Sequence, residues 1–154
     1  MTTRFVPVAA LAGLLVVLLN GAAHAASPAA LALEEFGFLG VWSVHCDRPA
    51  SPGNIARTAY LSASGEPGFT ESLGPDLAEN VYRILDAKIV AKAEIVLDIE
   101  LNGQIRQKLT MTRDGDRIRT LTNQLPDGRT VVKEGTIVTT GTKTPWLNLC
   151  EKTP

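Results

Sequence analysis

The chain has 154 residues, is 45% hydrophobic and 20% charged, and carries a formal net charge of −1. That length suits one domain with a real core. The balanced charge, without any run of one sign, excludes the basic footprint of a nucleic-acid binder and gives no sign of a membrane-surface helix or an acidic tail.

The first 25 residues predict a secretory signal peptide. Met1–Arg4 carries one positive charge, Phe5–Leu19 is a nearly unbroken apolar run, and Ala23-His24-Ala25 places small residues at −3 and −1 of a cleavage site. A membrane span needs roughly 20 apolar residues. The run is shorter, so no stable membrane insertion is expected after cleavage. Residues 26–154 are then one exported domain, periplasmic or secreted. Loss of Arg4 lowers its net charge to −2. Both cysteines, Cys46 and Cys150, lie in this part. In an oxidising compartment they are expected to form one disulfide between the start and end of the domain.

Ser27-Pro28 predicts a helix start, with serine as N-cap and proline in the first turn. Ala29–Phe36 is the body of this short helix. After Gly37 the pattern is one of strands. Phe38–Cys46 alternates, with Phe38, Gly40, Trp42, Val44 and Cys46 on one face and Leu39, Val41, Ser43 and His45 on the other. Arg48–Asn54, with two prolines and a glycine, is a loop. Strands are predicted over Arg57–Ala63, Gly68–Leu73 and Asn80–Ala91. In the last of these the pattern slips near Asp86-Ala87, which predicts a β-bulge.

Glu94–Glu100 alternates cleanly. A three-residue loop, Leu101-Asn102-Gly103, keeps the faces matched, setting Ile99 opposite Ile105, Ile95 opposite Leu109 and Asp98 opposite Arg106. Asp114-Gly115 predicts a two-residue turn, which sets Met111 opposite Ile118 and Thr112 opposite Arg117. Pro126-Asp127-Gly128 predicts a third hairpin. Arg129–Glu134, Thr136–Thr140 and Trp146–Cys150 complete the strands. Roughly eight to ten short strands joined by hairpins imply an all-β antiparallel meander. A meander with one apolar face packs on a second sheet or closes on itself. The first and last strands, which carry the cysteines, are where a barrel would close.

Gly40-Val41-Trp42, opening the first strand just after a short helix, resembles the G-x-W element of lipocalins and related calycin-type barrels. The resemblance implies an up-and-down barrel of about eight strands, with Trp42 plugging one end against the N-terminal helix and a small apolar ligand held inside. The lipocalin T-D-Y-type loop has no counterpart; Thr112-Arg113-Asp114-Gly115 stands in a comparable place.

Candidate chemistry is sparse. His45 shares a face with Ser43, and Asp47 follows, but nothing supplies an oxyanion hole, so no catalytic residue is assigned. One histidine and two paired cysteines do not make a zinc site. Asp114, Asp116 and Asp127 fit turn chemistry better than a calcium loop. No metal and no cofactor are expected. Two readings follow. One is a non-enzymatic binding barrel with a cavity under the Arg48–Asn54 loop, where Arg48, Pro52, Asn54, Tyr60 and Phe69 would meet a small apolar ligand. The other is a protein-interaction module, an envelope partner or a barrel-type protease inhibitor, with a filled interior and a protruding loop.

Overall fold

A computed structural model describes residues 26–152; the predicted signal peptide lies outside them. Helix α1 (Pro28–Phe36) starts as predicted. The Ser27 side chain accepts from the Ala30 N–H at 3.1 Å, and Gly37 ends the helix in the left-handed region. Ten strands follow: β1 (Gly40–Ser43), β2 (Ala56–Leu61), β3 (Pro67–Ser72), β4 (Asn80–Ala91), β5 (Glu94–Leu101), β6 (Ile105–Asp114), β7 (Arg117–Gln124), β8 (Thr130–Lys133), β9 (Thr136–Ile137) and β10 (Leu147–Glu151).

Every sequential pair from β1 to β9 is antiparallel, and β10 pairs with both β1 and β7. Strands β1–β7 and β10 therefore close an eight-stranded antiparallel barrel with meander order. β8 and β9 form a hairpin that continues the sheet from the far end of β7, beyond where β10 joins it. Cys46 and Cys150 are bonded to each other across this closure. Cys46 lies in the turn after β1 and is exposed, not inward on the strand as the alternation suggests. The strand stops at Ser43 because Asn54 takes over the polar groups that follow, as described below.

The strand faces follow the sequence pattern while the hairpin registers do not. Ile95, Leu97 and Ile99 are buried on the inner face. Their partners are Met111, Leu109 and Gln107, and Asp98 stands opposite Lys108, not Arg106. The loop is one residue further on: Leu101 pairs with Ile105, and Asn102, Gly103 and Gln104 make the turn. The cause lies on the neighbouring strand. The Asn102 N–H donates to the Val81 carbonyl at 2.7 Å and its side-chain oxygen accepts from the Val81 N–H at 2.9 Å. This clamp holds Leu101 in β5, opposite Tyr82.

A similar correction applies to the next hairpin. Asp114 pairs with Arg117, so Gly115 and Asp116 form the turn, and Met111 faces Thr120, not Ile118. The Arg113 side chain donates to the Gly115 carbonyl at 2.7 Å and to the Phe36 carbonyl of α1, and Asp114 is ion-paired with Arg117. These bonds favour the later turn. The bulge in β4 falls between Ile84 and Asp86, one residue before the predicted place. β9 is only two residues long, shorter than the predicted Thr136–Thr140.

The core gathers at the α1 end. Leu33, Phe36 and Phe38 from the helix segment join Trp42, Ile95, Met111 and Ile118 in one buried cluster. Trp42 is fully buried, and its indole N–H donates to the Phe38 carbonyl at 2.7 Å. Gly40 sits at φ +142°, and a Cβ there would stand 2.4 Å from the Glu151 carbonyl oxygen of β10. Only glycine lets β10 approach this closely.

Candidate internal cavity

β2 begins, β3 ends, β4 begins and β5 ends at the same end of the barrel, opposite α1. A cavity of about 220 Å³ opens there, reached by Ile55, Glu71, Tyr82, Ile99 and Gln107 from these strand ends and from β6. The β8–β9 hairpin covers it with Val131, Val132 and Ile137. Two bonds of Thr144 pin this cover to the barrel. Its hydroxyl donates to the Thr120 carbonyl at 2.7 Å, and its N–H donates to the Gly135 carbonyl at 2.9 Å. Arg119 adds a bond to the Gly135 carbonyl at 2.8 Å.

The walls are mostly apolar but hold a buried charge pair. Arg57 of β2 and Glu71 of β3 are cross-strand partners, and Arg57 donates to Glu71 Oε2 at 2.7 Å. The guanidinium lies 4.9 Å from the centre of the Phe69 ring. Phe69 in turn stacks on Tyr82, with centroids 4.3 Å apart. The guanidinium is not fully satisfied, since Arg57 Nε is buried without a partner, and a desolvated pair of this kind adds little to stability. Burial first, and the Glu71 charge second, push the Tyr82 hydroxyl up to about 12. On the facing wall the Asn123 amide donates to Gln107 Oε1 at 2.9 Å, while Asn123 Oδ1 is buried without a partner.

Of the residues expected to meet a ligand, Phe69 lines this cavity. Tyr60 points outward, since Arg57 and Ala59 take the inner face of β2. Arg48 and Pro52 are exposed and do not line the cavity. Asn54 is buried and holds its own loop together. It accepts from Ser43 Oγ at 3.1 Å and the His45 N–H at 2.8 Å, and donates to the carbonyls of His45, Arg48 and Pro49. Its amide is fully used, which removes it from ligand contact. The same network occupies the Ser43 hydroxyl and leaves His45 exposed, so Ser43, His45 and Asp47 do not converge on one site.

The candidate calcium ligands are held by arginines. Asp114 pairs with Arg117, Asp116 with Arg113 at 3.7 Å, and Asp127 with Arg129 at 2.6 Å. The Arg129 backbone N–H and then its guanidinium hold Asp127 below the usual carboxylate range. Among the described residues, no group of three or more His, Cys, Asp or Glu could hold a metal ion. No helix among them is long and apolar enough to cross a membrane.

The sequence carried one overlooked signal for this site. Arg57 and Glu71 each sit on the apolar face of their strand, in phase with Ala59 and Phe69. Two opposite charges on the inward phase of successive strands point to an internal ion pair. Gln107 and Asn123 meet because the β6–β7 register, with its irregularity between Thr110 and Met111, differs from the one predicted.

The fold and this site define a closed eight-stranded antiparallel β-barrel with a covered internal cavity at the end away from its helix. Comparison of the chain with protein-family profiles, with curated proteins and with solved structures gives no match.

Proposed function

We propose that the protein is exported to the periplasm or beyond the cell and works there as a lipocalin-like, non-enzymatic barrel that binds a small molecule. The observation that carries this reading is the cavity of about 220 Å³ beneath the β8–β9 hairpin. Ligand sites run from roughly 300 to 1,000 Å³, so the ligand is small. Trp42 fills the opposite end, in keeping with the G-x-W resemblance, and leaves the β8–β9 end for the ligand. The signal-like residues 1–25 and the Cys46–Cys150 disulfide support export.

The test is an amide NMR titration of residues 26–154 with a set of small ring compounds. Shifts should concentrate at Phe69, Tyr82, Leu109 and Val132. Shifts scattered over the outer surface, or none, would remove the binding reading.

A second reading, an interaction module, is favoured by the Arg48–Asn54 loop. Five bonds from the buried Asn54 side chain fix it, while Arg48 and Pro52 remain exposed. A loop held rigid before binding loses little entropy on docking. Retention of a protein partner by the intact barrel but not by an Arg48→Ala/Pro52→Ala variant would favour this reading.

A further inference from the structure

Two buried side-chain polar atoms among the described residues have no hydrogen-bond partner, Arg57 Nε and Asn123 Oδ1. Both residues line the cavity beneath the β8–β9 hairpin. One atom is a donor and the other an acceptor. A buried polar group without a partner costs more than an ordinary bond returns, so these atoms mark where a ligand gains most. They stand on different strands. Arg57 reaches from β2 across to β6, where one of its nitrogens lies 3.7 Å from the Met111 sulfur. Met111 belongs to the buried core, so the guanidinium lies between core and cavity. Asn123 stands on β7, opposite Leu109 of β6. The charges in the lining do not cancel either. Arg57 is matched by Glu71 at 2.7 Å. Arg119, which also lines the cavity, bonds only neutral groups: the Gly135 carbonyl at 2.8 Å and the Thr144 hydroxyl at 3.4 Å. Its guanidinium lies 5.4 Å from the centre of the Trp146 ring, and no carboxylate among the described residues pairs with it. The Tyr82 hydroxyl, pushed up to about 12 by burial, brings no negative charge at neutral pH. The lining therefore holds one positive charge in excess.

From this unmade donor, unmade acceptor and unmatched cation we infer that the cavity takes a compact monoanion, a carboxylate that also carries a hydroxyl or N–H donor. The inference rests on the binding reading above and adds the ligand's chemical class. The carboxylate supplies the acceptor that Arg57 Nε lacks and the negative charge that Arg119 lacks, through bonds of the stronger, charge-assisted kind. The donor meets Asn123 Oδ1. Glu71 holds Arg57 through a different nitrogen, Nη2, so the ligand need not displace it. The three groups together give selectivity. A neutral ligand leaves Arg119 unmatched. A cation adds a like charge to a desolvated site. An anion without a donor leaves Asn123 Oδ1 as it was.

Ring probes of nearly the same shape separate these outcomes, titrated by NMR or calorimetry at neutral pH into residues 26–154 with the disulfide intact. The better of meta- and para-hydroxybenzoate is compared with benzoate, and with the hydroxybenzamide and hydroxybenzylamine of the same substitution. The hydroxybenzoate should bind tightest, with benzoate and the hydroxybenzamide each weaker by on the order of tenfold and the hydroxybenzylamine weaker still. The hydroxybenzamide or hydroxybenzylamine binding as tightly would overturn the charge requirement while leaving a binding barrel. Benzoate binding as tightly would overturn the donor requirement in the same way. Binding of none of the probes would remove the binding reading itself, and this inference with it. Two variants give an independent check through affinity ratios, which a loss of stability alone would not move. Arg119→Gln should bring the hydroxybenzoate down to the affinity of the hydroxybenzamide, whereas Arg119→Lys should retain a preference for the anion. Asn123→Leu should bring the hydroxybenzoate down to the affinity of benzoate. Because Arg119 also pins the β8–β9 cover, Asn123→Leu keeps the proposal open to refutation if Arg119→Gln does not fold: an unchanged ratio of hydroxybenzoate to benzoate in the folded variant would count against it.

Discussion

The Arg113 guanidinium of β6 donates to the carbonyl of Phe36, the last residue of α1, across 77 positions of sequence. This bond satisfies one of the carbonyls left open at the helix end and places a cation there, where the helix dipole favours it. It also holds α1 against the β6–β7 turn. Arg113→Ala should cost about 1–2 kcal/mol, in line with hydrogen bonds to charged groups. It should also speed amide exchange across α1 before exchange in the barrel strands. Uniform acceleration throughout the domain would count against this local role.

Trp42 plugs the helix end, far from the cavity. Its replacement by alanine should cost roughly 3–5 kcal/mol in denaturant unfolding, as for other buried tryptophans. Affinity of the folded variant for any cavity probe should change little. A selective loss of binding with unchanged stability would reverse the assignment of the two barrel ends.

Asn54 is a structural residue in a loop. Asn54→Ala removes five bonds and leaves the His45 N–H and the Arg48 and Pro49 carbonyls without their partner, while the Ser43 hydroxyl keeps the His45 carbonyl. The expected loss is about 2–3 kcal/mol, since unmade buried groups cost about 1–3 kcal/mol and part of the loop will rehydrate. Thermal unfolding would measure it. A change below the range of ordinary surface substitutions would mean that water replaces the side chain without penalty.

Gly103 sits at φ +68° beside Asn102 at φ +49°, so the turn after β5 needs two left-handed residues in succession. Gly103→Val should destabilise by about 1 kcal/mol or more, because a β-branched residue takes positive φ only with strain. Space is not the cause, as a Cβ at Gly103 meets nothing within 4 Å. Gly103→Asn should therefore recover part of the loss. Equal unfolding midpoints for Gly103→Val and the parent would contradict the backbone assignment.

Tyr82 offers a pH test. Its hydroxyl ionises at about 12 in the folded protein and at an ordinary tyrosine value near 10 when unfolded. The folded state therefore holds its proton more firmly between these values. The stabilisation is complete below about pH 10 and is lost as pH rises through the folded value. In a Tyr60→Phe background the tyrosinate absorbance should rise only near pH 12, or earlier together with unfolding. A transition near pH 10 in protein that is still folded would place Tyr82 in water.

The sequence by itself determined the strand faces, the helix start and the disulfide. These depend on neighbours in the chain, or on there being only two cysteines. Ser27-Pro28 caps α1 with local bonds, and the period-two pattern of Ile95, Leu97 and Ile99 selects the buried face whatever stands opposite. The inward phase of Gly40 and Trp42 was legible for the same reason. Tertiary structure decided the registers, because a shift of two residues preserves both faces and cannot be told from alternation. The Asn102 clamp on Val81 and the Arg113 bond to Phe36 resolve that degeneracy, and both join segments distant in sequence. It also decided the site. Asn54, in the loop expected to meet a ligand, is consumed by its own backbone. Arg57, Glu71, Gln107 and Asn123 come together only once the barrel has closed and the β8–β9 hairpin has folded over its end.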